Sequence, residues 1–406
     1  MPCSTLSGGH DKEHTLKPKL EVADIFRRYG ERYERHHAVS YEQKKAMHAI
    51  LQCRTKALGG HIEQCDACGA TEITYNSCRN RHCPKCQTVK KLRWVKQRES
   101  ELLPVPYFHV VFTLPHELNP LVCSNPALLY DLLFKATAET LLAFGHDSKR
   151  LGGELGATLV LHTGGQNLSL HPHLHCIVPG GALTTDLHWI KAKSNYLFPV
   201  KAMAKHFRAH YLTLLQACYA ENAFQFQGTS KLYAAPSEFN KLKDTLWKKN
   251  WVVYAKKPFA GPQQIIHYLS QYTHRIALSN HRLISCNNDN VSFRWRDYAD
   301  ENKTKIMTLT AEEFIRRYLQ HVLPPRFTRL RHIGFLANRY KAPKLEQCRA
   351  ALVCEATPVV EETTDELLLR VYKVNIHLCT YCHRGNKKTI LTLLSNYQQH
   401  RGYDTS

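Results

Sequence analysis

Apolar and polar positions along this chain follow two different periods, and the switches between them mark out helices and short strands. Residues 21–60 read as helical: Ile25, Tyr29 and Tyr33 fall on one face, and Ile50 and Leu51 continue the stripe until Gly59-Gly60 ends it. A cysteine-rich stretch follows, then a basic helix, Lys90–Arg98, that stops before Pro104. From Tyr107 the period shortens. His109–Leu114 is a strand candidate closed by Pro115, and Ala157–His162 is a second. A third, His173–Val178, is closed by Pro179-Gly180-Gly181, and Asn250–Ala255 is a fourth. Pro126–Phe144 forms an apolar helix, and residues 203–220 form another. Gly261-Pro262 opens a helix carrying Ile265, Ile266, Leu269, Tyr272 and Ile276; proline is tolerated at a first helical position because its missing N–H would be unpaired there. Arg282–Ser285 and Val291–Arg296 flank Asn287-Asn288-Asp289-Asn290, a hairpin signature. Residues 1–20 lack periodicity and read as a flexible tail, and Pro358 with Glu361-Glu362 marks an acidic linker. The chain has no internal repeat.

Length and charge narrow the picture. A chain of 406 residues suits two or three domains, and a mean hydropathy of -0.40 suits a globular protein. Lys+Arg total 55 against 34 Asp+Glu, a net charge of +21. Such an excess favours a polyanionic partner, nucleic acid first, because neutralised phosphates release counterions; a merely basic or ribosome-associated surface is the plainer alternative. Met1-Pro2-Cys3-Ser4-Thr5 leads into polar residues, not a secretory core, and runs such as Leu159-Val160-Leu161 are too short to span a bilayer. The expected address is cytoplasmic and nucleoid-associated, with no membrane partner. There the 15 cysteines point to metal binding, not disulfides.

The cysteine spacing supports this. Cys65 and Cys68 form one Cys-x-x-Cys knuckle, Cys83 and Cys86 a second, and Gly69–His82 separates them, close to four-thiolate zinc-ribbon spacing. Cys53, His61, Cys78 and His82 lie in the same window and could complete a second zinc site, or be packed thiols and surface imidazoles. Arg79, Arg81 and Lys85 beside the second knuckle, with Lys90, Lys91 and Arg93 on the following helix, make the module a candidate DNA platform. Cys379-x-x-Cys382-His383 matches a c-type haem attachment pattern, which the absence of an export signal argues against. A partial zinc knuckle with Cys348 or Cys354, or unligated thiols, are the alternatives.

His173 and His175 bracket Leu174 at the head of a strand. Side chains alternate faces in a strand, so both imidazoles point one way while Leu174, Cys176 and Val178 face the other. Two imidazoles on one face are half of a divalent-metal site, Mg²⁺ or Mn²⁺; a pair of packed structural histidines is the alternative. His162 is the candidate third ligand, with His171, Gln166 and Gln271 as competitors. Tyr268 and Tyr272 lie four apart on the Pro262 helix and share a face. Aromatic pairs at this spacing commonly pack in a core. A phenol with pKa near ~10 needs a polarised phosphate to act as nucleophile at neutral pH. No phosphate-binding loop is present.

These segments together resemble a known family. Cys65–Gly69, Tyr75–Gln87, His162-Thr163, Gln166-Asn167, His171–Cys176 and Tyr268–Arg275 are similar to the HUH-type rolling-circle transposases, most of all the IS91-like insertion-sequence group with its N-terminal zinc-binding domain. The resemblance covers about residues 20–340. It implies an α+β fold, with an antiparallel-sheet endonuclease domain, flanking helices and a helical zinc-binding domain ahead of it. The expected domains are 21–100 for zinc and DNA recognition, 105–285 for catalysis and 286–345 for a basic extension with the hairpin, while the linker and Cys-containing tail, 346–406, lie outside the resemblance and take no role from it. It also implies Zn²⁺ in the N-terminal domain and Mg²⁺ or Mn²⁺ in catalysis. Single-stranded DNA at transposon ends and target would be the substrate, nicked and rejoined through a 5′-phosphotyrosine by Tyr268 first and Tyr272 second. A homodimer is the candidate assembly. A plasmid replication initiator or relaxase would share the same chemistry. A zinc-dependent DNA-binding regulator without catalysis would instead use His173, His175 and Tyr268 as core residues.

Overall fold

The computed structural model describes residues 18–193, 197–256, 277–298, 300–356 and 361–396. The stripe expected over 21–60 forms two helices, α1 (Val22–His36) and α2 (Tyr41–Gln52), instead of one. The break falls before Ser40, whose hydroxyl accepts from the Gln43 N–H while the Gln43 side chain accepts from the Ser40 N–H. This reciprocal cap restarts the helix in a new direction. Gly60 then opens a strand instead of ending a helix. β1 (Gly60–Cys65) pairs antiparallel with β2 (Thr71–Tyr75), and α3 (Thr88–Glu99) is the expected basic helix.

Further along the chain come β3 (Tyr107–Thr113), α4 (Asn119–Ser124), α5 (Pro126–His146), β4 (Gly156–Gly164) and β5 (Leu170–Pro179). A small ribbon follows, β6 (Gly181–Leu183) with β7 (Trp189–Lys191), then α6 (Val200–Ala220), α7 (Pro236–Lys248) and β8 (Val253–Lys256). The expected hairpin is β9 (Leu283–Asn287) and β10 (Asn290–Asp297). β11 (Lys303–Thr310) extends it to three strands, and α8 (Ala311–Leu319) follows. β12 (Leu330–Gly334), α9 (Lys341–Leu352), α10 (Thr364–Tyr372) and β13 (Lys387–Leu393) complete the described chain.

The central sheet is antiparallel throughout and runs β12-β4-β5-β3-β8. Alternation gives it two unlike faces. Phe108, Val110 and Phe112 of β3, Ala157, Leu159 and Leu161 of β4, and Leu174, Cys176 and Val178 of β5 all point one way. They pack with Leu133, Phe134, Met203, Phe207 and Tyr211 of α5 and α6 in the largest core of the molecule. The other face carries His109, His162, His173 and His175. The α+β class is as expected, and β12, from the 286–345 segment, completes one edge of the sheet.

A second core joins parts distant in sequence. Val22, Ile25 and Phe26 of α1 pack with Phe293 of β10 and Phe314, Ile315 and Tyr318 of α8, the Phe26 and Tyr318 rings meeting edge-on at 5.4 Å. The acidic segment is likewise folded back on the N-terminal part. Glu362 takes Lys96 of α3 at 2.6 Å and Arg370 of α10 at 2.8 Å, and β13 pairs antiparallel with β1. Among the described residues no helix is long and apolar enough to cross a membrane.

Gly334 ends β12 with φ at +58°, and a Cβ there would overlap the Leu155 carbonyl oxygen. Gly334→Ala is expected to cost about 2–4 kcal/mol of stability, from backbone strain plus overlap with main chain that cannot move away. Gly228 has a similar φ of +53° but open space around it. Gly228→Ala should cost only about 1 kcal/mol. Urea midpoints of the two variants check the contrast, and equal midpoints would remove the overlap argument.

Candidate functional site

The histidines meet because of strand register. His162 of β4 lies directly opposite His173 of β5, and His175 follows two residues later on the same face. His173 and His175 bring their Nε2 atoms to 3.1 Å, and one ring nitrogen from each of His162, His173 and His175 lies within 4.8 Å of the others. His173 Nδ1–H donates to the His171 carbonyl at 2.7 Å, which leaves the Nε2 lone pair facing the cluster. Among the competitors for third ligand, His171 is exposed and contributes that carbonyl, and the Gln166 side chain donates to the Tyr298 hydroxyl at 3.0 Å. Gln271, Tyr268 and Tyr272 lie outside the described residues.

His109 is a member of the group that sequence reasoning missed. Its Nε2 lies 2.8 Å from His175 Nδ1, with the rings stacked, and it is almost wholly buried. Burial, with Lys256 adding to it, pulls its pKa down to about 4, so the ring is neutral near pH 7. A neutral His109 can accept a hydrogen bond from His175 Nδ1–H, the tautomer in which His175 Nε2, 3.1 Å from His173 Nε2, carries no proton. The alternating pattern of β3 holds the needed parity, but only the pairing of β3 with β5 shows which imidazole it meets.

Two further histidines, buried His321 and half-buried His332, hold neutral rings close by. His332 of β12 has Nδ1 2.9 Å from the Thr158 hydroxyl and accepts from Arg98 at its Nε2 at 3.0 Å; burial foremost, then Arg98, lowers its pKa to about 4. His321 is lowered to about 4 by burial. It presses on Gly164, where a Cβ would stand 2.8 Å from its Cε1. His82, His162, Gly164, His321 and Arg329 line a cavity of about 40 Å³. The second cysteine knuckle therefore abuts the histidine face.

The cysteines converge in two groups of four, and both differ from the grouping expected from spacing. Cys83 and Cys86 join Cys53 and Cys78, not Cys65 and Cys68. Cys65 and Cys68 join Cys379 and Cys382. The reason is the β1–β2 hairpin, which carries the first knuckle to its far tip while Cys53, at the end of α2, stays beside the second. Cys78 Sγ and Cys86 Sγ are 3.7 Å apart, close to the ~3.8 Å edge of a tetrahedron with Zn–S near ~2.3 Å. The Cys78 N–H donates to Cys53 Sγ at 3.5 Å and the Lys85 N–H to Cys83 Sγ at 3.4 Å, bonds that favour thiolates. The four residues offer a closed zinc site inside the second core.

Neither histidine of the expected second zinc site takes part. His61 sits on β1 near Glu63, and His82 is turned to the cavity, where its Nε2 accepts from the Leu323 N–H at 3.4 Å. Cys348 lies on the buried face of α9, and Cys354 lies outside both groups, so neither partners Cys379. The basic set also divides. Arg81 donates to the carbonyls of Phe327 at 2.7 Å, Pro324 at 2.6 Å and Leu323 at 3.3 Å, and Lys85 pairs with Glu21 and the Cys53 carbonyl. These two clamp the module internally instead of facing outward. Lys91 is half-buried, whereas Arg79, Lys90 and Arg93 are exposed, Arg93 bonding Thr364.

With this geometry in hand, comparison with known proteins identifies the class. The family described as "Transposase zinc-binding domain" matches residues 25–114, and the family described as "Putative transposase" matches residues 156–344. The chain is a transposase with an N-terminal zinc-binding domain, and so acts on DNA. A protein described as a "Putative transposase" in Sinorhizobium fredii is 46% identical over 381 residues, 91% of this chain and 94% of that one. The "Transposase for insertion sequence element IS801" of Pseudomonas savastanoi pv. phaseolicola is 28% identical over 320 residues, covering 76% and 73%. The chain belongs to the IS91-type family of insertion-sequence transposases. No solved structure matches it.

The neutral rings of His321 and His332 set an acid limit. The pKa values of His321 and His332 are lowered from the usual 6.5 to about 4, so the unfolded chain binds their protons first as pH falls. Their contribution is whole above pH ~6.5 and is lost as pH drops toward ~4, on the order of 3 kcal/mol for each. Urea midpoints should fall between pH 7.5 and 5, and less steeply in His321→Gln plus His332→Gln. A midpoint that rises on acidification would contradict this.

Proposed function

We propose that this transposase is a metal-dependent tyrosine strand transferase of the HUH type that nicks and rejoins single-stranded DNA at transposon ends, as in rolling-circle transposition. The observation that carries this reading is the convergence of His162, His173 and His175 on one sheet face. The 3.1 Å between two Nε2 atoms is near the ~3.0 Å edge of an octahedron with ligands at ~2.1 Å, the geometry Mg²⁺ demands. His173 and His175 each have the other ring nitrogen engaged, by the His171 carbonyl and by His109, as metal-ligating histidines generally do. A divalent ion held there would polarise the scissile phosphate.

The chemistry assigned to the chain's own residues is a transesterification. The Tyr268 phenol loses its proton, its oxygen attacks phosphorus, the bond to the 3′ oxygen breaks, and that oxygen leaves as a 3′-hydroxyl. The 5′ phosphate stays on tyrosine, so a 3′-hydroxyl can later reverse the step without a nucleotide cofactor. Tyr272 would serve a second cleavage. The described chain leaves β8 at Lys256, beside His109, and resumes at Ala277, which lines the cavity shared with His162. Both anchors of the tyrosine segment therefore adjoin the histidine face, which supports delivery of a phenol there. Arg79 and Lys90, exposed beside the second knuckle, are candidates for backbone phosphate contacts.

With single-stranded oligonucleotides from the element ends and Mn²⁺, a denaturation-resistant protein–DNA adduct should form and vanish in Tyr268→Phe plus Tyr272→Phe. His175→Ala should slow adduct formation at least ~10²-fold. Binding without an adduct in the unaltered protein would leave only a DNA-binding regulator. His109 is assigned to positioning, not to contact with the reacting atoms. His109→Ala should weaken Mn²⁺ affinity about 10–100-fold with the fold intact, with partial rescue by His109→Asn. Unchanged affinity by calorimetry would leave His109 as a packing residue only.

A further inference from the structure

The C-terminal cysteines have no part in the histidine site, and the zinc-binding family match ends at residue 114. Yet Cys379 and Cys382 stand against Cys65 and Cys68, with Sγ atoms 3.7 Å apart for Cys65–Cys382 and 3.8 Å for Cys68–Cys379. We infer that Cys65, Cys68, Cys379 and Cys382 form a second tetrathiolate zinc site, a metal staple that makes the C-terminal segment a structural half of the N-terminal zinc-binding domain.

Four observations carry this. First, both sulfur separations match the ~3.8 Å edge of a tetrahedral Zn–S₄ centre. Disulfide sulfurs would be bonded at about 2.05 Å, and all four cysteines are free. Second, the two knuckles are built alike. The N–H groups of Ala67 and Cys68 point at Cys65 Sγ at 3.4 Å, the Tyr381 N–H at Cys379 Sγ and the Gly385 N–H at Cys382 Sγ, each also at 3.4 Å. Third, the knuckles interlock through backbone. The Asp66 N–H donates to the Asn386 carbonyl at 3.0 Å, and the Asn386 N–H donates to the Asp66 carboxylate at 2.8 Å. Gly385 passes so close to Cys65 and Ala67 that a Cβ would overlap both. Fourth, the strands behind the knuckles form one sheet, β13-β1-β2, with Lys387 bridging Glu63 and Glu72 at 3.5 and 3.3 Å.

The ligand pairs are 311 and 317 positions apart in sequence. A metal here joins residues separated by about three quarters of the chain, and because the unfolded chain does not bring them together, its binding energy adds to folding stability. The other group, Cys53, Cys78, Cys83 and Cys86, stays entirely within the N-terminal domain, so the two sites can be emptied separately.

Metal content of the purified full-length protein, by native mass spectrometry, tests the proposal without any activity assay. The unaltered chain should carry two zinc ions. Cys379→Ser plus Cys382→Ser should carry one, Cys65→Ser plus Cys68→Ser one, and the quadruple variant still one, because both pairs hold the same ion. Two ions in the Cys379/Cys382 variant would overturn the staple. Should these variants aggregate, Cys382→His in the cobalt-loaded full chain provides the second measurement. Its thiolate-to-cobalt absorption should weaken and its ligand-field bands shift, as one of eight thiolates becomes imidazole. A spectrum identical to that of the unaltered chain would also overturn it.

Discussion

The cross-strand register between β4 and β5 is the constraint on which the rest of the site depends. His162 faces His173 only in that register, and a slip of one residue would turn every imidazole of one strand toward the helices. What holds the register is the opposite face. Leu159, Leu161, Leu174, Cys176 and Val178 are fully or almost fully buried against α5 and α6, and a slip would expose this apolar surface to water. The apolar side of the sheet thus positions a polar cluster on its opposite face.

The cysteine module is tied at several points to α8 and to the segment that leads from it into β12. Arg81 spends its guanidinium on three carbonyls of the Leu323–Phe327 segment, and the Tyr318 hydroxyl donates to the His82 carbonyl at 2.8 Å. Cys53 and Cys83 belong to the same core as Phe26 and Phe314. Domain organisation here is one of shared cores, in which the segments before β3 and after β8 pack on each other as well as on the sheet. Basic residues in the knuckle serve this attachment before they serve any ligand, which explains why a charge count alone overstates the exposed set.

Much of the architecture was legible locally. The His109 and His173 strand candidates ended at or near their prolines, the Asn250–Ala255 candidate shortened to a strand beginning at Val253, the Asn287–Asn290 turn formed the expected hairpin, and the basic helix appeared where its composition placed it. The misses have two causes, one local and one long-range. Ser40 divided the N-terminal helix because a reciprocal cap outcompeted an apolar stripe that continued across it. The acidic linker folded back because Glu362 found Lys96 and Arg370, a pairing that composition cannot foretell.

Local periodicity and spacing were enough to determine which candidate ligand groups lie side by side along this chain. Alternation alone places His173 and His175 on one face, and paired Cys-x-x-Cys knuckles announce thiolate metal sites wherever they land. Which groups meet was decided only by the tertiary structure: His162 and His109 with His175, Cys53 and Cys78 with the second knuckle, Cys379 and Cys382 with the first. The physical reason is range. A side chain's direction follows from backbone geometry within two or three residues, whereas a partner hundreds of residues away is selected by sheet register and core packing, which leave no signature in the neighbouring sequence.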